Sequence, residues 1–307
     1  MADAIITRRG GGGTEITFNN FKAYYDTLIH STPTVLSIAR SGLSATNVGD
    51  YALFAGGYTW GDASYSNVVD AYDTSLTRTT PTSLSQSRSG LSATSVGDYA
   101  LFAGGDVNSS TRSNVVDAYT SSLVRSTPTV LSIARNSLSA TSVGDYALFA
   151  GGYSGSKNSV VDAYDTSLTR TTPTSLSQAR YNLAGASVGD YALFAGGDTG
   201  SASNIVDAYD TSLTRTTPTK LSQARSDLTG ASVGDYALFA GDSVNNIVDA
   251  YEFHKLINPY PIFITAGSKY KLNSDTEVTA TTNTVILLSL PINGYIKYKK
   301  GVLENEV

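Results

Sequence analysis

The sequence predicts an all-β chain of repeated small sheets, and three observations predict it. The phrase Gly-Asp-Tyr-Ala-Leu-Phe-Ala-Gly stands complete five times, beginning at Gly49, Gly97, Gly144, Gly189 and Gly234. Its tyrosines, Tyr51, Tyr99, Tyr146, Tyr191 and Tyr236, lie 48, 47, 45 and 45 residues apart. Apolar residues gather in β-rich runs between glycine turns and do not recur at intervals of three and four, which disfavours helical repeats. A fixed period of this size marks supersecondary units that bury their apolar faces only against a neighbour.

Within a unit each element has its own signature, and the second unit is typical. Leu91 to Val96 is small and β-branched, which suits a first strand packed at a crowded axis. Gly97-Asp98 is a two-residue hairpin loop, where glycine supplies the positive φ such turns need. Tyr99 to Ala103 is a second strand, apolar on both faces, as expected of a sheet covered on both sides. Gly104-Gly105 ends it and admits close backbone approach. After a polar segment of variable length, Val115 to Tyr119 makes a third strand, and Leu123 to Thr127 a fourth that Pro128 confines to an edge.

Four short antiparallel strands in about 40 to 50 residues is the composition of a propeller blade. The chain enters this pattern in mid-unit: Phe21-Lys22-Ala23-Tyr24, Leu28 and Ser31-Thr32-Pro33 align with Val69-Asp70-Ala71-Tyr72, Leu76 and Thr79-Thr80-Pro81. The last unit supplies three strands, ending with Ile247 to Tyr251, so five blades close if Leu28 to Thr32 completes that sheet. The alternative is an irregular sixth blade from Phe21 to Thr32 with part of the C-terminal segment. Three regions follow: a flexible N-terminal linker over 1–13, the propeller over 14–251 and a β-rich module over 252–307. In the last, Ile262 to Ala266, Tyr270 to Leu272, Glu277 to Leu290 and Gly294 to Lys299 read as strands. So small a set of strands is expected to pack on the propeller or on another subunit.

The hydrophobic run ending in Gly-Gly, the variable loop, Val-Val-Asp-Ala-Tyr-Asp and an arginine ahead of the next first strand together resemble the kelch repeat of β-propellers. The resemblance covers about residues 14 to 251 and recurs five times. It departs from the family at the fourth strand, where the family's tryptophan is missing, and at the fifth glycine pair, which reads Gly241-Asp242.

Composition excludes several classes of chemistry. The chain has no cysteine and two histidines, His30 and His254, which removes disulfides, thiolate metal sites, a cysteine nucleophile and a histidine-rich metal centre. A copper-radical oxidase of the kelch kind would need ligands of those types. Neither histidine sits in a context suited to a Ser-His-Asp arrangement. No enzyme and no cofactor is expected. Net charge is −5, with six of the nine lysines after Tyr251, which argues against a nucleic-acid partner. The longest apolar run, Val285 to Leu288, is far too short for the roughly 20 residues of a membrane span, so no membrane insertion is expected.

Two sets of residues are candidates for contact. Arg40, Arg88, Arg135, Arg180 and Arg225 each precede a first strand and either crown one mouth of a central channel or pair with a repeated acid such as Asp50 or Asp70. Acids and arginines share one period, which favours pairing and a structural role. The five copies of Asp in Gly-Asp-Tyr are turn residues, since a tuned catalytic acid needs a distinct environment. Symmetry breaks in the loops after the second strands, and the candidate ligand-binding residues there are Tyr58, Trp60, Tyr65, Asp106, Asn108, Tyr153 and Asp198. All five loops are expected on one rim, and rigidly mounted loops are where binding residues collect. The first carries the only tryptophan beside two tyrosines, a mixture suited to sugar or protein contact. The alternative is an aromatic tucked against its own blade.

The N-terminus reads Met-Ala-Asp-Ala-Ile-Ile-Thr-Arg-Arg followed by four glycines and lacks the apolar core of a signal peptide. It is either an anchor on a hinge or a frayed terminus. It resembles the N-termini of virion and tail-associated proteins of bacteriophages and prophages of Gram-positive bacteria. That resemblance implies a non-enzymatic protein of a phage or phage-like particle, fixed through its termini to other virion proteins, with loops facing a host surface glycan or protein. Localisation would be the virion, and a homo-oligomer is open. The alternative is an intracellular bacterial kelch scaffold with a protein partner.

Overall fold

The structure, a computed structural model, describes residues 30–242 and 246–253 and the backbone of six later strands. It divides into two units, 1–35 and 36–307. Of the first, residues 30–35 are described and form no strand.

The second unit contains five antiparallel sheets. In the first, β1 (Ser44–Val48) and β2 (Tyr51–Ala55) are followed by a two-stranded ribbon, β3 (Tyr58–Thr59) and β4 (Ser64–Tyr65), and then by β5 (Val69–Tyr72) and β6 (Arg78–Thr79). The second sheet comprises β7 (Ser92–Val96), β8 (Tyr99–Ala103), β9 (Val116–Thr120) and β10 (Arg125–Ser126). The third holds β11 (Ser139–Val143), β12 (Tyr146–Ala150), β13 (Val161–Asp165) and β14 (Arg170–Thr171). The fourth holds β15 (Ala184–Val188), β16 (Tyr191–Ala195), β17 (Val206–Asp210) and β18 (Arg215–Thr216). The fifth has β19 (Thr229–Val233), β20 (Tyr236–Ala240) and β21 (Val248–Glu252). Within each of the five sheets the strands pair in simple meander order.

The hairpin falls where the glycine put it. Val96 pairs with Tyr99 across Gly97-Asp98, and Gly97 has a φ of 50°. The fourth strand is shorter than expected, two residues in place of five. Leu123 adopts a left-handed φ of 60° and donates its N–H to the Thr120 carbonyl, so it belongs to the turn, not to the strand.

Both faces of the second, third and fourth sheets are apolar because each is pressed between neighbours. Along β8, Ala100 and Phe102 face back onto the first sheet, clustering with Val48, Leu53 and Val69. Leu101 and Ala103 face forward, with Phe149 and Tyr164 of the third sheet. The same front-on-back contact recurs between the third and fourth sheets and between the fourth and fifth. First strands of successive sheets lie side by side. They come so close that a Cβ on Gly185 would lie 2.9 Å from the Ala140 carbonyl oxygen, and one on Gly230 would meet the Gly185 carbonyl.

Among the described residues the array is uncovered at its two ends. Val48, Val96, Val143 and Val188 are buried, whereas the matching Val233 on the fifth sheet is 59% exposed. Gly56, Gly104, Gly151 and Gly196 press on the carbonyl of the next unit's arginine; Gly241, their counterpart, has nothing within 4 Å of its Cβ position. On the first sheet's back face, Ala52 is exposed, while Ala100, Ala147, Ala192 and Ala237 are fully buried. The expected completion of the fifth sheet by Leu28 to Thr32, and an irregular sixth blade, involve segments that lie partly outside the described residues.

A fourth strand is absent from the fifth sheet among the described residues. Beside it opens an apolar cleft of about 280 Å³, lined by Val188, Tyr191, Leu193, Pro218, Tyr251 and Phe253. Between the third and fourth sheets Leu213 joins Val143 and Tyr146, whose counterparts Val188 and Tyr191 line this cleft.

The C-terminal strands are β22 (Tyr260–Ile264), β23 (Lys269–Tyr270), β24 (Val278–Thr279), β25 (Thr284–Leu288), β26 (Tyr295–Lys299) and β27 (Val302–Glu306). They pair β22 with β25, β23 with β24 and β26 with β27. Expectation read Glu277 to Leu290 as strand with a Thr-Asn turn among the separators, and β24 and β25 lie in that stretch; it had no strand at Val302–Glu306. The packing of their side chains, and the N-terminal linker over 1–13, lie outside the described residues.

Candidate functional site

The repeated arginines are placed by the segment that enters each sheet, and their guanidiniums point inward. Arg88, Arg135, Arg180 and Arg225 are completely buried, and the side chain of Arg40 is too. Their partner is the acid of the third strand, not that of Gly-Asp-Tyr. Arg40 meets Asp70 at 2.9 Å, Arg135 meets Asp162 at 2.8 Å and Arg180 meets Asp207 at 2.8 Å, while Arg88 pairs with Asp117 and Arg225 with Asp249. The guanidiniums also donate to main-chain carbonyls: Arg88 to Phe102 and Gly104, Arg135 to Phe149 and Val160. Burial pulls the Arg88, Arg135 and Arg180 pKa values down, and the facing aspartate pulls them back up. A group so enclosed holds the sheet together and does not meet a ligand.

The third-strand tyrosines follow the same logic. The hydroxyls of Tyr119, Tyr164 and Tyr209 donate to the carbonyls of Thr82, Thr129 and Thr174. Burial, with the adjacent aspartate second, raises all three pKa values; for half-buried Tyr251 the same causes push it up to about 12.

The loops after the second strands are built on one plan. The residue after each Gly-Gly pairs with the residue after each buried arginine: Tyr58 with Ser41, Asp106 with Ser89, Tyr153 with Asn136 and Tyr181 with Asp198. Each loop then folds back on its own base, with Tyr58 opposite Tyr65, Asp106 opposite Arg112, Tyr153 opposite Lys157 and Asp198 opposite Ala202. Because the sheets stack front on back in one sense, these four loops leave from the same end. Part of the fifth loop, 243–245, lies outside the described residues.

Geometry separates the seven loop candidates. Asn108 is a turn former, its side-chain oxygen accepting the N–H groups of Ser110 and Thr111 at 2.9 and 2.8 Å. Asp198 likewise accepts the Gly200 N–H. Asp106 is held by the Asn136 amide at 2.7 Å and lies 3.8 Å from Arg112. Tyr58, Trp60 and Tyr65 form one cluster: Tyr58 lies edge-on to Trp60 at 5.2 Å and to Tyr65 at 5.3 Å. Trp60 is 78% exposed, yet its indole N–H donates to the Ser41 hydroxyl at 2.9 Å, which fixes how the ring is presented. Tyr153 stands in a second group, 5.7 Å from Tyr181 and 5.0 Å beneath the Arg112 guanidinium.

Ser41, Arg112, Asn136 and Tyr181 belong to this rim and were not among the expected residues. Ser41, Asn136 and Tyr181 share one signal: each directly follows a repeated arginine, at a position that varies while the arginine does not. Among the described residues no group of three or more His, Asp or Glu could hold a metal ion, and no helix is long and apolar enough to cross a membrane. The sequence matches no protein-family model and no curated protein.

Proposed function

We propose that this chain is a non-enzymatic binding protein of a phage or phage-like particle, its five sheets kelch-like, propeller-type blades whose loop rim contacts a host surface glycan or protein. The observation that carries the reading is Trp60. An indole this exposed gains little from its own fold, and yet the hydrogen bond it donates to Ser41 and its edge-on contact with Tyr58 hold it in one orientation. Flat aromatic faces set among short polar side chains bind the apolar face of a sugar ring or a partner side chain. The aspartates and asparagine of neighbouring loops supply hydrogen-bonding groups, and the buried arginines keep the bases of the loops rigid. The termini would attach the protein to other virion components, as the resemblance of residues 1–13 suggests. Host-surface glycans and surface proteins arrayed against the wild type and Trp60→Ala test it. Binding that falls at least tenfold in the variant supports the rim, while equal binding by both proteins contradicts it. Purified particles probed for the protein test the location, and its absence from them contradicts a virion role.

A further inference from the structure

We propose that the front face of the fifth sheet docks on the back face of the first sheet of a second copy of this chain, so that copies associate head to tail. The occupant is defined by the interior of the molecule. Four times within one chain a front face built on a first-strand valine and a third-strand valine receives the alanine, phenylalanine and tyrosine of the next back face. The fifth sheet carries the same front residues with no further sheet on them among the described residues: Val233 is 59% exposed, Val248 58% and Tyr236 41%. Val69, Val116, Val161 and Val206, the counterparts of Val248, are at most 1% exposed. Gly234 also meets nothing within 4 Å, whereas Gly97 and Gly144 press on Thr166 and Thr211 of the following sheet. The first sheet presents the matching half, with Ala52 exposed and Phe54 half-buried where Phe102, Phe149, Phe194 and Phe239 are fully buried.

The two bare faces therefore complement each other in residue type, and the geometry of their contact is already made between every adjacent pair of sheets. Contiguous apolar surface of this kind on an array end marks an association site. Such a contact is heterologous: front meets back, not front meets front. Copies joined this way would carry their rims in series and raise avidity for a repetitive surface. This inference does not depend on the rim's ligand, since it concerns sheet faces and not strand ends.

The test is the mass of the full-length protein in solution as a function of concentration. Wild type is expected to gain mass on concentration. A front variant, Val233→Glu with Val248→Glu, and a back variant, Ala52→Glu, are each expected to stay monomeric. All three positions are exposed, so both variants should keep the wild-type circular dichroism and the melting temperature of the dilute wild type. Mixed in equal amounts, they should form a one-to-one dimer and nothing larger, because each retains the half that the other has lost. A wild type that stays monomeric at all concentrations overturns the proposal, including the case where Val233→Glu lowers the monomer's melting temperature because the face is covered within one chain. Assembly that survives both variants, or variants that do not associate on mixing, overturns it as well.

Discussion

At the residue scale the arginine explains why one side chain can recur five times without being a site. Its guanidinium does two jobs that water cannot do inside a sheet, neutralising a buried aspartate and donating to carbonyls in and beside the second and third strands. Removing it leaves the aspartate's charge buried and uncompensated. Arg135→Ala should therefore destabilise the protein by about 3 to 5 kcal/mol, the range found when one partner of a buried pair is removed, as read by denaturant unfolding. Replacing Arg135 and Asp162 together by apolar residues should not restore wild-type stability, because the Ser132 N–H and hydroxyl would lose their carboxylate acceptor and the Phe149 and Val160 carbonyls a charged donor. The tyrosines give a pH prediction. Raised folded-state values mean that the neutral phenol is favoured by the fold. Their stabilisation is complete below pH 10, the ordinary tyrosine value, and is lost as pH rises through about 12, the value of Tyr251. Tyr119, Tyr164 and Tyr209 are shifted in the same direction. Ultraviolet titration should show these four phenols ionising only together with unfolding; ionisation of all twenty tyrosines near pH 10 in a protein that stays folded would contradict their burial.

At the element scale the glycine that ends each second strand separates conformational strain from packing. Gly104 and Gly241 have nearly the same φ, 71° and 72°, but a Cβ at Gly104 would lie 2.6 Å from the Arg135 carbonyl oxygen and one at Gly241 meets nothing. Left-handed strain alone costs on the order of 1 kcal/mol. In dilute solution Gly104→Ala should thus cost clearly more than Gly241→Ala, and equal losses would mean that the sheets do not press on one another as described. Most of this element layer is legible in the sequence. The second strands and the glycine turns are apparent because their residues have no other use. The fourth strand is overestimated because Leu123 looks like a strand residue until its positive φ is known, and propensity carries no such information. The ribbon β3–β4 escapes notice because a loop of mixed polar and aromatic residues has no period.

At the scale of the whole molecule the repeats make a stack whose interior faces are covered and whose end faces, among the described residues, are not. Periodicity announces the stack, but whether its ends meet depends on twist accumulated over five sheets, which no local pattern encodes. The candidate site divides in the same way. Its aromatic members stand out as breaks in the repeat, while Ser41 and Tyr181 escape notice because what brings them to the rim is a bridge to the next loop's base, a contact between residues 17 apart in each case. The central claim, that the rim around Trp60 is the binding surface, can be tested on the native protein, because Trp60 is its only tryptophan. Its fluorescence reports on that cluster alone. Titration with host-surface glycans or surface-protein extracts that bind the protein should change the emission in a saturable way, with the midpoint matching the affinity measured independently. A ligand that binds while the emission of Trp60 stays unchanged would place the binding surface elsewhere.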